Sequence, residues 1–201
     1  MDQTAETIEA YRKLLRGDLP MATRRAIEWL MVEAARKLLD LPAGRTPWNG
    51  YELPSVIAIA NEAAAEAARL MGSDYAAVQL YLEPQDTLVL VANRNFPAEL
   101  VALFAAFRPD FCTGCSRAVA SGGRVVIPDV ERDEPFTRHV PAALDNGFRS
   151  LQATPLKAES GAVIGVITTH FAEPRSYAND DFDRFDAHAR NVSRDLARAC
   201  A

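Results

Sequence analysis

Seven neutral hydrogen-bonding side chains recur at strand-like intervals in two distant parts of the chain. Tyr75, Gln79 and Tyr81 form one set, and Gln152, Thr154, Thr168 and His170 form the other. The second set lies in the run from Asn146 to Thr168, which codes two successive strands, the latter continuing to Phe171. Leu151, Ala153 and Pro155 alternate with Ser150, Gln152 and Thr154, while Val163, Ile167 and Phe171 alternate with Thr168 and His170. Strand side chains change faces with period two. The pattern predicts one apolar face and one neutral polar face, with Gln152, Thr154, Thr168 and His170 together on the polar one. By the same alternation an earlier strand adds Tyr75, Gln79 and Tyr81. Such a lining suits an uncharged molecule held by several hydrogen bonds. The plainer reading is a wet sheet face whose side chains satisfy one another.

Thiol and imidazole chemistry come next. Cys112-Thr113-Gly114-Cys115 is a C-x-x-C, but no second pair completes a zinc ribbon. His139, His170 and His188 show no ligand spacing, so no metal site is expected. Cys115 is placed to begin a helix, where the dipole lowers a thiol pKa and favours redox chemistry. The bland alternative, favoured here, is a buried reduced thiol. His170, near the end of a central strand, reads first as a hydrogen-bonded core residue and second as a pocket base or haem ligand. The charged residues Arg132, Asp133, Glu134, Arg138 and His139 mark a long connection, either solvated or lying over a pocket. No Walker loop, nucleophile elbow, zincin helix or dinucleotide fingerprint occurs in the chain.

The bulk numbers bound these readings. A chain of 201 residues makes one medium domain, or one domain with an extension. Its net charge of −5, without a Lys/Arg cluster, argues against nucleic acid, which requires a basic stripe. No apolar run is long enough for a membrane span. The N-terminal residues lack the pattern of a signal peptide, and three cysteines without a leader predict reduced thiols in a cytoplasmic protein.

Helical spacing is expected over residues 1–41, broken at Gly17-Asp18-Leu19-Pro20, and residues 42–54 read as a linker rich in proline and glycine. An alanine-rich helix follows from Ser55 to Met71, ending at Gly72. Strands are predicted over Tyr75–Leu82 and Thr87–Asn93, then a short helix over Pro97–Phe107. A helical turn over Cys115–Ser121 closes at Gly122-Gly123, and a short strand follows at Arg124–Ile127. A long connection with a short helix near Pro141–Asn146 leads to the two strands described above. A last helix starts at Asp180 or Asp181 and presents Phe182, Phe185, Ala189, Val192 and Leu196 on one face. This order predicts an α+β fold with an antiparallel sheet and helices gathered at its two ends.

Several segments together resemble the GAF domain family, in particular the branch associated with bacterial two-component signalling proteins. They are Asn95-Phe96 with the following Phe-rich helix, Cys115-Ser116-Arg117-Ala118 with Val125-Val126-Ile127-Pro128-Asp129-Val130, Gly147 to Leu156, and Gly165 to Phe171. The acidic start of the closing helix completes the resemblance. It implies a five- or six-stranded antiparallel sheet over 55–201, with terminal helices on one face and a roofed ligand pocket on the other. Residues 1–41 would then be a helical extension suited to forming a homodimer.

From that resemblance the leading expectation is a non-enzymatic sensor that binds an unidentified small molecule. Its site would be Tyr75, Gln79, Tyr81, Cys115, Gln152, Thr154, Thr168 and His170, with a histidine kinase or other regulator reading the response. Free methionine sulfoxide reductases share this domain, but their His-Ile-Ala-Cys segment is replaced here by Arg138-His139-Val140-Pro141-Ala142-Ala143. A scaffold or dimerisation domain with an empty pocket is the remaining alternative. Cyclic-nucleotide and bilin signatures are absent as sets, and the resemblance leaves the ligand or cofactor unknown.

Overall fold

The computed structural model describes residues 53–82, 86–109, 112–178 and 180–199. The expected N-terminal extension and linker lie almost wholly outside them. Six strands form one sheet in the order β3-β2-β1-β6-β5-β4, every neighbouring pair antiparallel. The strands are β1 (Tyr75–Leu82), β2 (Thr87–Arg94), β3 (Ala106–Phe107), β4 (Val125–Ile127), β5 (Ser150–Lys157) and β6 (Val163–Phe171). The α+β class and the antiparallel sheet are as the element order predicts.

Two long helices cover one face. Helix α1 (Leu53–Met71) buries Val56, Ala60, Ala63, Ala64, Ala67 and Met71, and Gly72 closes it with a φ of 60° that other residues adopt only with strain. Its small side chains let α5 (Asp180–Ala199) lie close, and His188 Nε2 comes within 3.0 Å of the Ala63 carbonyl oxygen. Phe185, Ala189, Val192 and Leu196 face inward from α5 at helical spacing. Fully burying a side chain such as Phe185 or Leu196 contributes about 2–3 kcal/mol, so these contacts anchor the helix.

The opposite face is roofed by short elements: α2 (Ala98–Phe104), α3 (Gly114–Ser121), two 3-10 turns (Val130–Arg132 and Glu134–His139) and α4 (Val140–Asp145). The helix expected through Phe107 stops at Phe104, and Ala106–Phe107 instead pair with Val89 and Leu88 as an edge strand. Helix α3 begins one residue before the expected Cys115. Its cap is Thr113, whose Oγ1 accepts from the Ser116 amide at 3.1 Å. Gly114 lies so near the sheet that an added Cβ would stand 2.6 Å from Leu151 Cδ1.

The β5–β6 register carries the main correction. Lys157 pairs with Val163 next to the turn, but Leu156 pairs with Gly165, so Ile164 is an extra residue on β6. A one-residue bulge moves every later side chain to the other face relative to its partner strand. Continuing the Lys157–Val163 register would have set Gln152 opposite Thr168. With the bulge, Gln152 faces Thr169 and Ala153 faces Thr168. The single polar face predicted from alternation is therefore split between the two sides of the sheet.

Candidate functional site

Directly paired residues of an antiparallel sheet project to the same side. On the roofed side the central strands set Tyr75 opposite His170, Ala77 opposite Thr168 and Gln79 opposite Val166. Beyond β6, Leu151 and Ala153 stand opposite His170 and Thr168. Of the expected site residues, Tyr75, Gln79, Tyr81, Thr168 and His170 share this face, and Cys115 reaches it from α3. Gln152 and Thr154 do not.

His170 occupies one end, in an aromatic box. Its ring centroid is 5.3 Å from that of Phe96 and 4.9 Å from that of Phe148, both edge-on, and Tyr75 meets Phe96 at 6.3 Å. Only 3% of the residue is exposed, and burial drives its pKa from the usual 6.5 to about 3. The imidazole is neutral, and its Nδ1 is buried without a hydrogen-bond partner. Four residues along β1, about 13 Å away at the strand rise, Gln79 marks the other end. Its Nε2 donates to the Phe104 carbonyl oxygen at 3.4 Å, a long bond, while Oε1 is buried with no partner. Ala77 and Thr168 lie between these ends, giving the middle of the face a floor of small side chains.

Tyr81 and Cys115 contribute less. Tyr81 donates through its hydroxyl to Asp86 Oδ1 at 2.9 Å, tying the strand end to the β1–β2 connection. Cys115 packs with Leu88, Ala118, Ala153 and Val166. Burial pushes its thiol up to about 12, which outweighs the helix N-terminus and removes the thiolate that redox or nucleophilic chemistry needs. The charged connection acts as a strut for the roof: Asp133 Oδ1 holds Arg117 of α3 at 2.7 Å and accepts from the Phe136 amide, while Phe136 is buried.

On the helix-covered side, Gln152 and Thr154 belong to a continuous buried chain of hydrogen bonds. Gln152 Nε2 donates to Thr169 Oγ1 at 3.2 Å, Thr154 Oγ1 donates to Gln152 Oε1 at 2.6 Å, and Arg124 Nε donates to Thr154 Oγ1 at 2.8 Å. The Arg124 guanidinium also pairs with Asp186 of α5 and lies 4.0 Å over the Phe182 ring. These groups satisfy one another beneath α5, so their chemistry is structural.

Phe96, Phe148 and the Phe104 carbonyl were not among the expected site residues. Phe96 and Phe148 lie just past or before strand ends, where alternation along a strand does not say which face a side chain joins. Two surface depressions among the described residues, one flanked by Thr154 and Arg194 and one by Asp129 and Arg175, border neither Gln79 nor His170. The sequence profile of the GAF domain family matches residues 54–196.

The chain belongs to the GAF domain family.

Solved structures agree on the fold. A GAF domain of the Coxiella burnetii phosphoenolpyruvate-protein phosphotransferase superposes with a TM-score of 0.61 at 12% identity, covering 87% of this chain and 95% of that one. The blue-light-absorbing form of the Thermosynechococcus elongatus PixJ GAF domain gives 0.60 at 21% identity, covering 73% and 88%. A domain of a Sinorhizobium meliloti protein described as a two-component sensor histidine kinase gives 0.57 at 20% identity, covering 70% and 89%. No curated protein matches the chain significantly. Among the described residues of this GAF domain no helix is long and apolar enough to cross a membrane.

Proposed function

We propose that this GAF domain is a non-enzymatic sensory module that binds an uncharged small molecule on the roofed face of its sheet. The observation carrying this reading is the pair of buried, unpartnered polar atoms on one face, Gln79 Oε1 and His170 Nδ1. An unsatisfied buried polar atom costs about 1–3 kcal/mol, and a ligand group that bonds to it would remove that cost. The small side chains of Ala77 and Thr168 lie between these atoms, both buried under the roof, and the aromatic box suits a flat apolar end of a ligand. A charged ligand would be stranded, because a buried ion needs a counter-charge and the residues facing it here are neutral. Signalling follows if the ligand binds one arrangement of the roof and terminal helices better than another. A homodimer and a separate output protein, such as a histidine kinase, complete this reading. The buried Cys115 thiol weighs against a reductase.

Native mass spectrometry of the purified full chain, set against its denatured mass, tests the proposal. The expected result is extra mass of a small organic molecule that leaves on unfolding. Gln79→Leu and His170→Leu are expected to reduce its occupancy by about tenfold each, the worth of one buried hydrogen bond. Full retention by both folded variants would exclude this face as the site.

A further inference from the structure

A groove of about 800 Å³ lies between α5 and the β5–β6 turn, on the side of the sheet away from the proposed ligand. Its floor carries Ala189, Ser193 and Ala197, one per helical turn. Arg190, Arg194 and Arg198 run beside them at the same interval. Two carboxylates border the groove, but Asp186 is already engaged by Arg124. Glu159 alone then opposes the three arginines, in a chain whose net charge is −5. The three arginines are exposed. Arg194 touches the Asn191 side chain at 2.7 Å and the Asp195 carboxylate at 4.0 Å, both on open surface where such contacts hold little energy. A cation in the last turn complements the helix dipole, which accounts for Arg198 but not for three arginines in line.

The spacing selects the occupant. Residues four apart on a helix rise about 6 Å, so the guanidinium groups repeat at the interval of carboxylates four apart on a second helix. Alanine and serine in the floor let the two helix backbones approach closely. A nucleotide or a nucleic acid strand needs a stacking surface for its bases, and the described lining contains no aromatic side chain. We propose that this groove docks a helix of a partner protein bearing carboxylates at four-residue intervals on one face. The docked helix lies along α5, the element that Arg124 and Asp186 tie to the sheet.

The test is titration of the full chain with a labelled, end-capped peptide repeating Glu-Ala-Ala-Ala. The expected result is salt-sensitive binding that weakens at least about tenfold in the Arg194→Glu/Arg198→Glu variant. Arg184→Glu, an exposed change on α5 outside the groove, leaves binding unchanged. Failure of the parent protein to bind the peptide overturns the proposal, as does equal weakening by Arg184→Glu, which would mean a response to overall charge. Equal binding of a peptide with its glutamates in one block, or of inorganic tripolyphosphate, also overturns it in favour of a general anion site. A change of oligomeric state in the double variant overturns it in favour of a second copy of this chain.

Discussion

His170 and Gln152, both polar and both buried, stand in opposite situations. The His170 imidazole is held neutral by burial, with a pKa of about 3 against an ordinary 6.5 in the unfolded chain. Between those values the unfolded state binds a proton that the folded state refuses. Stability from this group is therefore full above about pH 6.5 and is lost as the pH falls toward 3. Urea melts at a series of pH values should show a decline below about pH 6.5 that is shallower in His170→Leu. Parallel declines in the two proteins would mean that the imidazole charges freely in the fold. Gln152, by contrast, is fully partnered by Thr169 and Thr154. Gln152→Leu takes a partner from both hydroxyls, leaving Thr154 with Arg124 alone, and should cost about 1–3 kcal/mol, read by urea denaturation, while ligand occupancy stays at the parent level. A loss of ligand without a loss of stability would return Gln152 to the site.

Among the elements, β6 does most to decide what the proposed site contains. The bulge at Ile164 turns Thr168 and His170 to the roof and sends Thr169 to the helices. Just past the bulge Gly165 approaches β1 so closely that a Cβ would stand 2.5 Å from the Gln79 carbonyl oxygen. That atom is backbone and cannot swing aside, so Gly165→Ala must part β1 from β6. The expected cost is about 2–3 kcal/mol, together with a weaker hold on the ligand through the displaced Gln79. A variant as stable as the parent would show that the two strands part without penalty. Helix α5 is held to the sheet by Arg124 and by Ser193, whose Oγ accepts from the Lys157 amide at 3.1 Å. A displacement of β5 therefore reaches α5 through hydrogen bonds as well as through packing.

For the molecule as a whole, strand order sets where stability resides. Strands β1 and β6 lie at the centre, flanked on both sides, whereas β3 and β4 are short edges of two and three residues. Amide hydrogen exchange should be slowest in β1, β6 and β5 and fastest in β3 and its flanking connection. Equal protection at the β3 edge would point to a partner covering it. Much of this architecture is legible in the chain itself. Alternation marks β5 and β6, Gly72 and Gly122 stop helices through their positive φ angles, and the amphipathic stripe of α5 follows from Phe185, Ala189, Val192 and Leu196. Alternation within each strand likewise sets Tyr75 with Gln79, and Thr168 with His170, on one face. Which faces of two strands coincide is another matter, because it depends on the bulge beside the turn and not on alternation within either strand. That single extra residue moved Gln152 and Thr154 from the expected site into the scaffold. The aromatic box, assembled from Phe96 and Phe148 far apart in the chain, likewise exists only once the strands are paired and the roof is closed. Local periodicity is a property of neighbours along the chain, whereas a site is a property of neighbours in space, and only the tertiary packing relates the two.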